Sequence, residues 1–302
     1  MRQSLFRISV PLSIHWNKRQ LRHAMGAAGV VLCFAILTIG TYLYFPLKSH
    51  WREIYYPALR AAIELRSPYD VPRFYNPPWT LLPLLPLAFL PVKVGSAVMS
   101  VATMCAFAYA CYRLRASRAV MVLFLLCPTV AYNYFQVNVD WLALLGFFMP
   151  TQIGLFFLAI KPQLMGLVVP FWLWQTYRDG GIRRVAMVFG PITAAYLVSF
   201  AFFGLFYFRG FALPDYQATF LPYSIPFGLA LVWAAFRKSR PSWLLPATSL
   251  LTPYTQHYTW SLSILGFLPN QAVTLALIVA TWLAYVLRLI YAPDISAFFL
   301  PT

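Results

Sequence analysis

The sequence predicts an all-α fold, a polytopic bundle of membrane helices that forms one domain over residues 1–302. The chain is 61% hydrophobic and only 10% charged, so a water-soluble body of this length would have almost no polar shell. Apolar runs recur from residue 24 to residue 291, whereas long alternating strands are lacking. Because every backbone amide in lipid needs an internal partner, the spans are expected to be helices.

The net charge of +16 does not indicate nucleic-acid binding, because the Lys and Arg residues stand in short clusters between apolar runs. The four cysteines lie within or at the ends of apolar runs and lack a CxxC spacing, which predicts packing roles. Walker, HExxH and GxSxG motifs are also missing from the sequence. We therefore expect no metal and no cofactor.

The N-terminal arm, residues 1–23, is polar and basic and is expected in the cytoplasm. The run 24–46 that follows is too long for a signal-peptide core, so it predicts a retained helix. Further strong helical segments are expected at 93–112, 119–134, 163–177, 185–207, 221–236, 242–256 and 270–291. With three shorter runs, this gives about 8 to 11 membrane segments.

The shorter runs are 78–91, 139–160 and 258–268. The first contains Pro83, Pro86 and Pro91 and reaches only about 21 Å, short of a hydrocarbon core of roughly 30 Å, so it predicts a re-entrant or juxtamembrane helix. Pro150 divides the second into two halves, which predicts a hairpin. The number of spans after residue 242 stays open.

This arrangement satisfies the excess of Lys and Arg expected in cytoplasmic loops. It places three basic clusters inside: Arg113, Arg115 and Arg118; Arg178, Arg183 and Arg184; Arg237, Lys238 and Arg240. The outer face then collects residues 47–92, 133–140, 161–163 and 208–220 together with His257. The outer loop 47–92 is the segment where we expect chemistry.

Within that loop, residues 51–66 predict an amphipathic helix on the membrane surface. Pro57 implies a break or a late helix start. The apolar face comprises Ile54, Ala58, Ala61 and Leu65, and the polar face comprises Glu53, Arg60 and Glu64, with Arg60 and Glu64 spaced to pair.

Several short motifs carry a family resemblance. The loop continues with the turn SPYD at 67–70 and with YNPPW at 75–79, and later segments read FQVN at 135–138 and KPQ at 161–163. Over about residues 24–185 the chain resembles GT-C glycosyltransferases. The greatest similarity is to the bacterial family 87 type, which includes polyprenol-phosphate-dependent mannosyltransferases.

The resemblance implies a GT-C-like membrane bundle in the cytoplasmic membrane of a bacterium. It implies a multi-pass enzyme whose active site faces outward and which transfers a mannose-like hexose with inversion. The donor would be a polyprenyl phosphate sugar, and the acceptor a lipid or a glycan. In the family, an acidic residue at the outer end of the first span acts as general base.

This chain departs from the family pattern at that position. His50 stands where the carboxylate is expected, and Phe135 replaces the Gly that often precedes Gln. A neutral imidazole can accept a proton at neutral pH, so His50 is one candidate base and the nearby Glu53 is another. Alternatively, catalysis has been lost and the chain binds a lipid-linked sugar or a partner protein. A secondary transporter would require an inverted repeat, which the sequence lacks.

Lys161 interrupts an apolar region and therefore needs a partner or a water-filled cavity. A donor phosphate is the favoured partner, with Arg52, Arg60, Arg66 or Arg73 assisting, and the alternatives are snorkelling or an ion pair with Asp140. Asp140 alternatively caps the helix that begins at Trp141. The remaining expected pocket residues are Tyr55, Tyr69, Asp70, Tyr75, Asn76, Trp79, Gln136, Asn138, Gln163 and His257.

Overall fold

The computed structural model describes Leu32 and residues 34–43, 49–205 and 219–291. Every regular element in these ranges is helical, which confirms the all-α class. The basic arm 1–23, residues 24–31 of the first predicted helix and residues 208–218 of the predicted outer loop lie outside the described residues. So do residues 44–48, at the start of the outer loop.

The helices follow one another along the chain with short connections. Helix α1 covers Phe34–Leu43, and a π-helical turn, Trp51–Tyr55, leads into α2. The later α-helices are α2 Tyr56–Ile63, α3 Val92–Arg113, α4 Arg118–Leu125, α5 Pro128–Gln136, α6 Asp140–Phe147, α7 Thr151–Leu158, α8 Pro162–Met165, α9 Val168–Phe203, α10 Ile225–Lys238, α11 Leu244–Leu251, α12 Trp260–Gly266 and α13 Gln271–Tyr291. Short 3₁₀ helices cover Pro68–Asp70, Pro78–Phe89, Pro241–Trp243 and His257–Thr259.

Two of the described helices, α3 with 22 residues and α9 with 36, are long and apolar enough to cross a membrane. The number rises to three if α4 and α5, bent by 55°, form one span. The prediction of about 8 to 11 membrane segments is therefore wrong. Many apolar runs are divided by proline into helices of seven to nine residues. Such helices rise only about 10–14 Å, against a hydrocarbon core of roughly 30 Å.

Helix α9 breaks at Gly180 and Gly181, in the gap that separates the predicted segments 163–177 and 185–207. Gly181 has a φ of 62° and a ψ of −162°, a conformation open essentially to glycine alone. Beyond the break, large apolar side chains face outward, and Phe202 is 79% exposed. An exposed apolar surface on a helix of this length favours contact with lipid.

The two shorter runs before residue 161 adopt distinct forms. Residues 78–91 form a 3₁₀ helix, Pro78–Phe89, because Pro83 and Pro86 remove amide donors that an α-helix would need. Residues 139–160 form the predicted hairpin of α6 and α7. Its two arms meet at Gly146 and Gly154, where a Cβ on Gly154 would lie 2.5 Å from the Gly146 carbonyl oxygen.

The predicted helix 51–66 is helical over residues 51–63, as a π-helical turn followed by α2. Ile54, Ala58 and Ala61 are buried, and Pro57 lies in the first turn of α2. Leu65 was wrongly assigned to the apolar face, because α2 ends at Ile63 and Leu65, with a φ of 57°, is 97% exposed.

The outer loop has its own hydrophobic core. Trp51, Leu59 and Phe74 pack in one buried cluster with Val139 and Ile160, which lie at the ends of the α6–α7 hairpin. This cluster fixes the outer loop against the residues immediately before Lys161. A larger core joins α3–α5 with α9–α13.

Candidate functional site

A buried ion pair joins the two ends of the α6–α7 hairpin. The Nζ atom of Lys161 lies 2.9 Å from Oδ1 of Asp140, and the two residues are 7% and 1% exposed. Pairing between these residues was one of the alternatives left open by the sequence, and it is confirmed. The helix-capping alternative is wrong, because the N-cap of α6 is Val139 and makes no side-chain cap bond.

The ammonium charge of Lys161 is retained in this setting. Burial by itself lowers the pKa of Lys161, but attraction to Asp140 and Tyr55 and the hydrogen bond to Asp140 outweigh it, so the net pKa is raised. The free protein therefore holds a buried cation that is neutralised by its own carboxylate.

A chain of hydrogen bonds runs beside the ion pair. The hydroxyl of Tyr55 donates to Oδ1 of Asn138 at 2.8 Å, and Nδ2 of Asn138 donates to the hydroxyl of Tyr258 at 3.1 Å. The same Oδ1 accepts the backbone amide of Val139 at 2.8 Å. Asn138 therefore ties the outer loop to the C-terminal part of the chain.

Val137 sets the position of Asn138. It ends α5 in the left-handed conformation, with a φ of 51° and a ψ of 50°, and it is buried. A β-branched residue rarely adopts this conformation, and strained residues of this kind cluster at ligand sites and switch regions. The packing around Val137 must offset that strain to hold the amide of Asn138 in place.

Tyr258 is the centre of the cluster, and sequence analysis missed it. The Nζ atom of Lys161 lies 5.6 Å from the ring centroid of Tyr258. The ring centroids of His50 and Tyr258 lie 6.5 Å apart in an edge-to-face arrangement. The neighbouring His257 was selected instead, but His257 is exposed. The 3₁₀ turn His257–Thr259 buries Tyr258 and leaves His257 exposed. A capping box between Gln256 and Thr259 fixes this turn.

His50 precedes the π-helical turn and reaches the same cluster. The residue is half-buried, but its Nδ1 atom is inaccessible and has no hydrogen-bond partner among the described residues. Burial, followed by the nearby charges of Lys161 and Arg73, lowers the pKa of His50 to about 3. The imidazole is therefore neutral at physiological pH and is a weak base in the unliganded protein.

Trp51 anchors the turn that carries His50. Its Nε1 donates to the carbonyl of Val92 at 3.0 Å, and the indole is fully buried. It packs against Gly95, where an added Cβ would lie 2.6 Å from the indole. Glycine at position 95 therefore permits the close approach that positions the outer loop on α3.

The YNPPW segment holds the backbone before Lys161. Nδ2 of Asn76 donates to the carbonyl of Ile160 at 2.8 Å, and Nε1 of Trp79 donates to the carbonyl of Phe156 at 2.9 Å. The hydroxyl of Tyr69 donates in turn to the carbonyl of Asn76 at 2.9 Å. Asn76, Trp79 and Tyr69 thus position the site through backbone carbonyls.

Other predicted residues lie apart from this cluster. Glu53 pairs with Arg73 at 3.1 Å, and Arg60 pairs with Glu64 at 3.3 Å, as its spacing predicted. Three further residues are described only by their exposure or backbone contacts: Arg52 and Asp70 are exposed and Tyr75 is partly exposed. Gln163 accepts a bond from Thr252 through its carbonyl at 3.4 Å.

Apart from Oδ1 of Asp140, which is paired with Lys161, three buried acceptors in the segment 133–140 have no hydrogen-bond partner among the described residues: Oδ1 of Asn133, Oε1 of Gln136 and Oδ2 of Asp140. A buried acceptor without a donor is costly, so these oxygens are suited to hydroxyl groups or water. Gln136 and Asp140 belong to the predicted pocket.

Within the described residues, no group of three or more His, Cys, Asp or Glu side chains is placed to hold a metal ion. Comparisons of the chain with protein-family models, curated proteins and solved structures find no match.

Proposed function

We propose that the chain is an integral membrane glycosyltransferase of the GT-C type. In this proposal it transfers a hexose from a polyprenyl phosphate donor to a lipid or glycan acceptor, on the outer side of a bacterial cytoplasmic membrane. One observation carries the proposal. Two of the segments that carry the resemblance, FQVN and KPQ, bring Asn138 and Lys161 into one buried cluster with Tyr55 of the outer loop, while a third, YNPPW, holds the backbone before Lys161.

In this proposal Lys161 receives the donor phosphate. Its ammonium is already buried and positioned, and Asp140 supplies the balancing negative charge in the unliganded protein. A phosphate anion can take the place of that carboxylate and form charge-assisted hydrogen bonds with the ammonium. The donor would therefore bind by exchange, with the carboxylate of Asp140 released toward the sugar.

His50 is the proposed general base. The acceptor hydroxyl oxygen attacks the anomeric carbon, the bond from that carbon to the phosphate oxygen breaks, and the hydroxyl proton passes to the imidazole. Polyprenyl phosphate leaves with the bonding electron pair. Burial is the main cause of the low pKa of His50, and the positive charges of Lys161 and Arg73 lower it further, so a bound phosphate would offset those charges and raise the pKa.

The sugar would lie against the buried acceptors of segment 133–140. Gln136 and Asp140 each present an oxygen that lacks a donor within the described structure, and hexose hydroxyls are donors of the required kind. Glu53 is less suited to the base role, because Arg73 holds it in an ion pair.

A second candidate function is a catalytically silent homologue that binds a lipid-linked sugar or a partner protein. The pairing of Lys161 with Asp140 and the low pKa of His50 favour this alternative, because they leave neither a free cation nor a strong base in the unliganded state. The two functions differ in turnover, not in donor binding.

Turnover by the purified chain in lipid distinguishes them. Synthetic polyprenyl phosphate hexoses are offered to wild type, His50→Ala and His50→Asp, and released polyprenyl phosphate is measured. The proposal expects turnover by wild type and loss of at least 100-fold in His50→Ala, the low end of general-base contributions. Activity in His50→Asp alone would indicate a lost base, and inertness of all three with donor bound would favour the silent homologue.

A further inference from the structure

Four cations lie on tryptophan rings where α9 meets α10 and the chain that follows α10. The guanidinium carbon of Arg178 lies 4.9 Å from the ring centroid of Trp174, and that of Arg237 lies 4.9 Å from Trp233. Both Lys238 and Arg240 lie over Trp243, at 5.2 Å and 5.7 Å. We call these seven residues the tryptophan–cation patch.

Aromatic packing brings the patch together. Trp174 on α9 meets Phe236 on α10 with ring centroids 5.3 Å apart, and Phe171 meets the same ring at 5.1 Å. The ends of the two helices that carry the cations are therefore adjacent. This contact also brings Arg178, from one of the basic clusters predicted in the cytoplasm, near the cluster of Arg237, Lys238 and Arg240.

The patch has a surplus of positive charge. None of its four cations forms an ion pair with a described residue, since the four ion pairs found in the described structure lie elsewhere. Asp179 is the one described carboxylate between residues 168 and 243. The patch is therefore suited to a negatively charged group that can contact several cations at once.

The patch is separate from the proposed donor site. Lys161 lies just before α9, whereas Arg178 lies near the glycine break, about 15 Å further along the first part of that helix. The C-terminal end of α10 also attracts cations through its unpaired carbonyls, which accounts for Arg237 and Lys238 alone. It does not account for Arg178 or Arg240.

We infer that the tryptophan–cation patch binds the headgroup of an anionic phospholipid. Phosphate diesters pair with clustered Lys and Arg at the membrane surface, and tryptophan favours the same interfacial depth. Leu229, which is 56% exposed, lies one turn before Trp233 on the same face of α10 and suits the acyl chains. The inference rests on the membrane placement in the proposed function and is independent of sugar transfer.

The test is lipid binding by the full-length chain, purified in an uncharged detergent and titrated with phosphatidylglycerol, phosphatidylcholine or glycerol phosphate, read by native mass spectrometry. Phosphatidylglycerol is expected to bind at least tenfold tighter than either of the others. The variant Arg237→Gln/Lys238→Gln/Arg240→Gln should lose on the order of 100-fold, at about 1 kcal/mol for each charge. Trp243→Leu should lose about two- to fivefold.

The matched control removes three positive charges elsewhere, in Arg113→Gln/Arg115→Gln/Arg118→Gln. It should retain phosphatidylglycerol affinity within threefold. Equal losses in both triple variants, or equal affinity for phosphatidylcholine, would overturn the inference. If the chain binds phosphatidylglycerol at the patch but transfers no sugar, the proposed enzymatic function fails and the lipid inference stands. Failure of the proposed function and failure of the inference are therefore distinguishable.

Discussion

Oδ1 of Asp140 lies 2.9 Å from Nζ of Lys161, in a region where both side chains are almost fully buried. Removing one member of a buried pair leaves an uncompensated charge and costs about 3–5 kcal/mol. Removing either charge alone should therefore lower the free energy of unfolding strongly, whereas removing both charges should lower it much less.

The ion pair predicts strong coupling in a double-mutant cycle. Asp140→Asn and Lys161→Met should each lower the free energy of unfolding by about 3–5 kcal/mol, and the double variant should lose less than their sum. The exposed pair of Glu53 and Arg73 is the control, where Glu53→Gln should cost no more than about 1 kcal/mol. Denaturant unfolding in detergent measures each value, and additive losses at 140 and 161 would contradict the pairing.

The hydrogen-bond chain through Asn138 predicts that Tyr258→Phe destabilises the protein. The change leaves Nδ2 of Asn138 without its acceptor in a buried position, at a cost of about 1–3 kcal/mol. Tyr223→Phe is the matched control, because Tyr223 is 85% exposed. Thermal unfolding compares the two variants, and equal midpoints would show that the Asn138 contact contributes nothing.

Burial of neutral His50 predicts acid sensitivity. Its pKa is lowered to about 3 in the folded state, so the unfolded state binds the proton more readily at intermediate pH. Stability is therefore highest above about pH 6.5 and declines as the pH falls toward 3, and the loss relative to neutral pH amounts to about 2 kcal/mol at pH 5. His50→Phe should flatten the pH dependence of the unfolding midpoint between about pH 3 and 6.5, and an unchanged pH dependence in that variant would contradict the prediction.

The contact between Trp51 and Gly95 predicts that Gly95→Ala displaces the outer loop. The added methyl group would lie 2.6 Å from the indole, and overpacking of this kind costs about 1–3 kcal/mol. Gly190→Ala meets nothing within 4 Å and should be neutral or slightly stabilising. The measurement is denaturant unfolding of both variants, and an unperturbed Gly95→Ala would argue against this packing.

Helix positions could be predicted from apolar runs, but the number of spans could not. The sequence located α3, the break in α9 and the α6–α7 hairpin, because prolines and glycines interrupt the pattern at those points. Counting every run as a span failed because a run such as 119–134 contains Pro128, where the helix bends by 55°. Hydropathy alone does not record that bend.

The site could be predicted in outline only. Lys161 was selected because a cation in apolar surroundings needs a partner, Asp140 was one such partner, and Asn138 was selected through the family resemblance of its segment. The structure brings the three together with Tyr55. Tyr258 was missed, because two adjacent residues in a turn differ only in direction, which local sequence does not encode. The left-handed Val137 was equally hidden, since its strain is imposed by tertiary packing.

Donor binding tests the central claim, that a phosphate-linked lipid exchanges with Asp140 at Lys161. A fluorescent short-chain prenyl phosphate and the matching prenyl alcohol are titrated into wild type, Asp140→Asn and the charge-free double variant Asp140→Asn/Lys161→Met. The account predicts that wild type prefers the phosphate, that Asp140→Asn binds it at least tenfold tighter than wild type, and that the double variant loses the preference. Equal binding of the alcohol by wild type, or an unchanged preference in the double variant, would contradict it.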